Sequence, residues 1–212
     1  MSIKIRLIIM NFLQFAVWGA YLTSMGSYLV NVGLHEHIGM FYAMQGIVSL
    51  FMPAVLGIIA DRWIPAQKLL SFSHFTAALF MAAAGYYGMT KGADVDFGTL
   101  FTLYSLSVAF YMPTLALSNS VAYTALDKAG LDTIRTFPPI RIFGTIGFIC
   151  SMWVVDLLGL QNNYGQFFAC AIIGVAYGVY ALTLPECPTS KGDNAKSLVE
   201  ALGLRAFTND LA

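Results

Sequence analysis

The sequence predicts an all-α transmembrane protein built as a six-helix bundle. Of its 212 residues, 58% are hydrophobic and 10% are charged, whereas a soluble domain carries about a quarter charged residues. The mean hydropathy is +0.71. The apolar residues fall into six stretches, each long enough to cross the roughly 30 Å hydrocarbon core of a bilayer as a helix. The lipid bilayer is therefore the first predicted partner of this chain.

Composition and motifs exclude several other classes of protein. The formal net charge is zero, which gives no electrostatic reason to expect a nucleic-acid partner. Cys150 and Cys170 lie inside apolar stretches and are interpreted as small apolar residues, without a disulfide framework. No nucleotide-binding glycine loop, nucleophile elbow or zinc-helix motif occurs, so neither an enzyme nor a catalytic residue is predicted. His35, Glu36 and His37 form a short turn with no further ligand nearby, and no metal site is predicted.

Six helices are expected within residues 1–184. Their predicted ranges are 5–30, 38–60, 68–89, 97–126, 137–158 and 164–184. The first stretch is too long for a signal peptide and lacks a small-residue cleavage site, so it is predicted to be the first helix. After Pro185 the composition becomes polar, which predicts a cytoplasmic tail or the beginning of a central loop over 185–212. Within it, residues 197–207 are weakly amphipathic, as helices on membrane surfaces are.

The basic residues predict the orientation of the bundle. Lys91 lies in a loop on one side of the membrane. The loops and termini on the other side contain Lys4, Arg6, Arg62, Lys68, Lys128, Arg135, Lys191, Lys196 and Arg205. Because loops rich in lysine and arginine face the cytoplasm, both termini of the chain are expected to be cytoplasmic.

The loop after the second predicted helix contains the pattern Gly-x-x-x-Asp-Arg, formed by Gly57, Asp61 and Arg62. This pattern resembles the signature loop of the major facilitator superfamily, although residues 64–66 replace the usual second glycine and basic pair. The resemblance implies a conformational latch, in which Gly57 allows close packing and the charges hold neighbouring helix ends in one state. The alternative is an ordinary interfacial charge pair at a helix end.

The fifth predicted helix carries a polar stripe inside an apolar stretch. Arg141, Thr145 and Phe148 have the spacing i, i+4, i+7, so they share one face of a helix. A guanidinium with five donors, a hydroxyl and an aromatic ring suit a small polar molecule that contains a flat ring. Gly144 and Gly147 lie beside the stripe, where small residues let another helix approach closely.

The depth of Arg141 depends on where the fifth helix begins. If the helix begins at Pro138, Arg141 lies in its first turn and can extend to the cytoplasmic interface. If the helix begins near Asp132, Arg141 lies about 13 Å along it at 1.5 Å per residue. A charge at that depth is energetically costly and by default functional. The spacing of the residues leaves both depths open.

Residues 137–148 read Phe-Pro-Pro-Ile-Arg-Ile-Phe-Gly-Thr-Ile-Gly-Phe, and they resemble the fifth helix of bacterial nucleoside:proton symporters in the same superfamily. Other stretches agree, namely Phe12-Leu13-Gln14-Phe15, Trp18-Gly19, Phe51-Met52-Pro53-Ala54, Tyr111-Met112-Pro113-Thr114-Leu115 and Thr183-Leu184-Pro185. The resemblance covers the amino-terminal six helices of a family whose members have twelve. It implies the amino-terminal half of a bacterial inner-membrane carrier whose carboxy-terminal half is missing from this chain.

The resemblance implies proton-coupled nucleoside uptake by alternating access, with the nucleoside bound between the two halves. At the family positions that contact the nucleoside, this chain has Arg141, Thr145 and Phe148. The acidic residues that couple transport to protons belong to the second half of such proteins. A proton as coupling ion is thus implied, and no cofactor.

Other polar residues are weaker candidates for the same cavity. Gln14 and Trp18, spaced i, i+4, and Tyr111 are possible cavity residues, although polar stripes in membranes more often hold helices together. His74 is expected to be a buried hydrogen-bonding residue rather than a proton relay. Two alternative functions are a carrier of another polar small molecule, such as a sugar, and a six-helix membrane module that does not transport.

Overall fold

The computed structural model describes residues 2–189, which form eight α-helices and one short 3-10 helix and contain no β-strand. The helices are α1 (Ile3–Gly19), α2 (Met25–Asn31), α3 (Ile38–Arg62), α4 (Ala66–Lys91), α5 (Phe97–Tyr111), α6 (Thr114–Lys128), α7 (Thr133–Leu157) and α8 (Gly165–Ala181). The 3-10 helix, His35–His37, directly precedes α3.

The eight helices correspond to the six predicted membrane segments. Four stretches are long and apolar enough to cross a membrane, namely His35–Arg62, Ala66–Lys91, Phe97–Lys128 and Thr133–Leu157. α8 is a shorter apolar helix, and α1 with α2 makes up the remaining segment. The chain is a multi-pass membrane protein with the all-α architecture that the sequence predicts.

The first predicted helix, 5–30, is wrong as a continuous element. The turn 20–24 separates α1 from α2. In this turn the Ser24 hydroxyl donates to the Tyr21 carbonyl at 3.4 Å and to Gln166 Oε1 of α8 at 2.9 Å. A serine hydroxyl that bonds nearby backbone groups competes with regular helical hydrogen bonding, which accounts for a break at this position.

The fourth predicted helix, 97–126, is also interrupted, because α5 ends at Tyr111 and α6 begins at Thr114. Pro113 has no N–H with which to bond the Ala109 carbonyl, and its ring clashes with that carbonyl in a regular helix. Helical hydrogen bonding resumes directly afterwards, since the N–H of Leu117 donates to the Pro113 carbonyl at 3.1 Å.

The fifth helix begins earlier than the predicted range of 137–158. α7 begins at Thr133, and the Asp132 carboxylate accepts from two first-turn N–H groups at 3.0 and 3.2 Å, which caps the helix. Pro138 therefore lies inside the helix. Arg141 is eight residues beyond Thr133, or about 12 Å along the axis at 1.5 Å per residue. The structure selects the deeper of the two alternatives for Arg141.

Two helix pairings organise the bundle. α1 packs chiefly against α7, whereas α4 packs against α8 and α5. The apolar interior divides into two clusters of buried side chains. The largest fully buried side chains include Tyr21, Tyr28, Tyr104, Tyr111 and Tyr177.

The residues that follow α8 contact the ends of other helices. Lys128 Nζ, at the end of α6, donates to the Glu186 carbonyl at 2.6 Å, and the Cys187 N–H donates to Gln67 Oε1 of α4 at 3.0 Å. The predicted tail lies outside the described residues from 190 onward, and so does the amphipathic stretch 197–207.

Candidate functional site

α1 and α7 approach each other closely at glycines. A Cβ atom at Gly147 would overlap the carbonyl oxygen of Phe12, and one at Gly144 would lie 2.6 Å from a ring carbon of Phe15. Only glycine fits backbones this close. The prediction that Gly144 and Gly147 admit a neighbouring helix is confirmed, and that helix is α1.

The Arg141 side chain lies against an aromatic ring of α1. Its guanidinium carbon is 3.8 Å from the centroid of the Phe15 ring, within the range of a cation–π interaction. Arg141 is partly buried. No hydrogen bond or ion pair to it occurs within residues 2–189. Its five N–H donors are therefore available to a ligand.

The Phe15 ring is connected through ring contacts to two further aromatic side chains, Trp18 and Phe148. The rings of Trp18 and Phe148 meet edge to face, with centroids 6.1 Å apart and planes at 88°. Phe15 and Trp18 also have centroids 6.1 Å apart. The Trp18 indole N–H donates to Gln45 Oε1 of α3 at 2.8 Å, which fixes the orientation of the indole. We call Phe15, Trp18 and Phe148 the aromatic face.

Thr145 is exposed and lies on α7 between Arg141 and Phe148. The structure thus places the three predicted residues on one face of α7, with Trp18 packed against Phe148. Their contact with a substrate stays a prediction.

Sequence reasoning missed two residues of this site. Phe15 lies three residues before Trp18, so the helical period places both on one side of α1. Gln45 is a lone amide in an apolar helix, and polar residues inside membrane spans commonly bond to another helix. Both signals are present in the sequence, but neither identifies the side chain that the residue contacts, which is Arg141 for Phe15 and Trp18 for Gln45.

Gln14 and Tyr111 are buried in the interior of the bundle. Gln14 Nε2 donates to Thr114 Oγ1 at 2.8 Å, Gln14 Oε1 lies 3.3 Å from His74 Nε2, and the Tyr111 hydroxyl donates to the Gln14 carbonyl at 2.7 Å. These bonds connect α1, α4, α5 and α6. The expectation that His74 is a buried hydrogen-bonding residue is confirmed. For Gln14 and Tyr111, contact with a substrate stays a prediction.

The predicted latch residues lie at the end of α3. Gly57 and Asp61 line an open groove between α3 and α6, whose other wall includes Pro113 and Ser120. Within the part of the chain that the structure describes, no atom lies within 4 Å of a Cβ built at Gly57. The close packing expected of Gly57 is thus not made inside this bundle. The latch role of Gly57, Asp61 and Arg62 stays a prediction.

The His35–His37 turn takes part in packing. The His37 ring stacks on Phe97 with centroids 4.0 Å apart. Among residues 2–189, no group of three or more His, Cys, Asp and Glu side chains is placed to hold a metal ion.

The helical fold is that of a multi-pass membrane protein. The model of the family described as "Nucleoside H+ symporter" matches residues 1–209, and the chain belongs to that family. The family is one of transporters, and the resemblance drawn from the sequence is confirmed.

Relatives and solved structures agree with the family. The chain is 41% identical over 212 residues to the xanthosine permease of Escherichia coli (strain K12), and 40% identical over 211 residues to the nucleoside permease NupG of the same organism. Each alignment covers 98% of this chain and 48% of the relative. A crystal structure of the nucleoside transporter NupG superposes with a TM-score of 0.84 at 38% identity, covering 98% of this chain and 50% of that chain. The chain thus spans about half the length of the curated relatives that it matches.

Proposed function

We propose that this chain supplies the amino-terminal half of a carrier that takes up nucleosides with protons across the bacterial inner membrane. The observation that carries the proposal is Arg141, which lies about 12 Å along α7 at 1.5 Å per residue with its donors unused inside the described bundle. The family and the printed names of its relatives support a nucleoside as the substrate.

The chemistry of the face suits a nucleoside. Arg141 offers donors to ribose hydroxyls or base carbonyls, and Thr145 offers a hydroxyl that can donate or accept. The Phe148 ring, held edge to face by Trp18, offers an apolar surface to a flat base. The family resemblance assigns the proton-binding acidic residues to the second half of the carrier.

The second half completes the cavity in this proposal. The relatives are about twice as long as this chain, which supports a facing bundle of similar size. Alternating access then corresponds to rocking of the two halves about the bound nucleoside. The loop charges support cytoplasmic termini, which would place Asp61 and Arg62 at the cytoplasmic side as a latch between conformations.

Substitution of Arg141 tests the proposal in the full-length carrier. Arg141→Ala should weaken uridine or adenosine binding about 10- to 150-fold, since a hydrogen bond to a charged group contributes about 1.5–3 kcal/mol. Arg135→Ala is the matched control, because Arg135 lies on the same helix with its side chain 89% exposed and pairs only locally with Asp132 at 3.5 Å. Calorimetric affinity and thermal unfolding should be measured for both.

The two arginine variants should retain the unfolding temperature of the wild type, and Arg135→Ala should retain its affinity. Unchanged affinity in Arg141→Ala would return this arginine to the role of an interface anchor. If neither uridine nor adenosine competes for the transported ligand, the substrate is another polar molecule, such as a sugar.

Proteoliposomes test the half-carrier proposal against a non-transporting membrane module. Purified 1–212 should transport nothing alone and should support nucleoside uptake when co-expressed with a complementary second half. Flux through a demonstrated monomer of 1–212 would refute the proposal.

A further inference from the structure

We infer that Phe15 is a positioning residue that holds the Arg141 guanidinium in the orientation that binds nucleoside. The inference rests on the proposed function and adds a residue of α1 to a site otherwise assigned to α7. It concerns the direction in which the guanidinium donors point.

The first support is the contact itself. The guanidinium carbon lies 3.8 Å from the Phe15 centroid, and within residues 2–189 no carboxylate or carbonyl bonds this side chain. A free arginine side chain has many rotamers, and ordering them on binding opposes association. A ring that already holds the guanidinium reduces that cost while leaving the N–H edge free.

The second support is that the Phe15 ring is itself held in place. A Cβ atom at Gly144 would lie 2.6 Å from a Phe15 ring carbon and 2.8 Å from Arg141 Nη1, so glycine at this position leaves the space in which the two groups meet. The close approach of Gly147 to the Phe12 carbonyl fixes the helix crossing one turn away. Trp18 contacts the ring from α1. The position of Phe15 is therefore set by helix packing.

Fluorination of the Phe15 ring isolates this role in the full-length carrier. Mono-, di- and trifluorophenylalanine at position 15 keep the shape of the ring while progressively weakening its attraction for a cation. The dissociation constant for uridine, measured by calorimetry, should rise with each fluorine to about 3- to 30-fold. The unfolding temperature should stay constant, because fluorination leaves the packed shape of the ring unchanged. If the ring had a purely structural role, the affinity for uridine would stay constant as well.

The same series at Phe101 is the control, because that ring packs against Phe97 and Phe41. Conventional variants give a second readout. Phe15→Leu should weaken uridine binding. Phe15→Tyr keeps a ring that attracts a cation, so this variant should retain the affinity of the wild type.

The outcomes separate this inference from the proposed function. If the wild-type carrier binds uridine and Arg141→Ala weakens binding about 10- to 150-fold, but fluorination and Phe15→Leu leave the affinity unchanged, the Phe15 inference is overturned and the proposed function stands. If the wild-type carrier does not bind uridine, the proposed function fails and this inference fails with it.

Discussion

α4 and α7 are similar apolar helices of 26 and 25 residues, yet they use their polar residues in opposite ways. In an apolar stretch of 18 residues within α4, 56% of the residues are buried, whereas 28% are buried in the corresponding stretch of α7. In α4, the polar side chains of Gln67, Ser71 and His74 are buried and bond to other parts of the bundle. In α7, Thr145 is exposed, and Arg141 is partly buried against Phe15 without a hydrogen bond inside the described bundle.

In the proposed carrier, this difference separates the residues for stability from the residues for binding. Burying a polar group in a membrane bundle is costly unless it is paired, and the paired side chains of Gln67, Ser71 and His74 connect α4 to other parts of the bundle. α7 packs against α1 through glycines instead, which leaves the donors of Arg141 and the hydroxyl of Thr145 for the proposed ligand. We therefore expect substitutions in α4 and at the glycines of α7 to change stability, and substitutions on the outer stripe of α7 to change affinity.

The largest effect is expected from Gly147→Ala on the inner face of α7. The added methyl group would overlap the Phe12 carbonyl oxygen, and a backbone atom cannot move aside cheaply. Unfolding free energy should fall by about 3 kcal/mol, as in overpacked cores. Gly46→Ala on α3 is the control, because no atom lies within 4 Å of its Cβ position. Equal thermal unfolding of both variants would contradict the close α1–α7 crossing.

Gln14→Leu should produce the next largest effect. The change leaves His74 Nε2 and Thr114 Oγ1 without their Gln14 partner in a buried region. The loss should be about 2 kcal/mol, as for buried polar groups left unpaired. Denaturation and uridine affinity should be measured together. A changed affinity with unchanged stability would show that Gln14 contacts the substrate, as the sequence predicts, and would break the distinction between the two regions.

Ser71→Ala in α4 tests a single bond between helices. Its hydroxyl donates to the Gly178 carbonyl of α8 at 2.7 Å, and the variant should be about 1 kcal/mol less stable. Thr76→Ala is a matched control on the same helix, because the Thr76 hydroxyl bonds only the Phe72 carbonyl of its own helix. If Thr76→Ala loses as much unfolding free energy as Ser71→Ala, a hydrogen bond between helices stabilises the bundle no more than one within a helix.

The smallest effect concerns Asp96, which directly precedes the first residue of α5 and lies outside the membrane-spanning segment. The Thr99 backbone N–H donates to its carboxylate at 2.8 Å and holds the pKa of Asp96 below its ordinary value. The resulting stability is present above the unfolded pKa of about 3.9 and is lost as pH falls through the lower folded pKa. Asp96→Asn should flatten this acid limb of unfolding temperature against pH. If the acid limb is unchanged in this variant, other carboxylates cause the loss of stability at low pH.

The sequence predicts the order and number of the membrane segments well, because hydropathy over about 20 residues is a local property. The sequence-based prediction missed the interruptions of the first and fourth predicted helices and began the fifth helix too late. Pro113 is visible in the sequence, and Asp132 has the residue type of a helix cap, so two of the three errors had a local signal. In the turn 20–24 the Ser24 hydroxyl bonds both the nearby Tyr21 carbonyl and Gln166 of α8, and no local pattern contains the second partner.

By itself, the sequence determined the membrane class, the family resemblance and the stripe of Arg141, Thr145 and Phe148. These follow from composition, motif and helical period, which belong to single segments. Only the tertiary structure showed that Gln14 is hydrogen-bonded inside the bundle while Arg141 meets Phe15 on an open face. Whether a polar side chain is paired or available depends on which helices pack together, and that is a property of the assembled bundle.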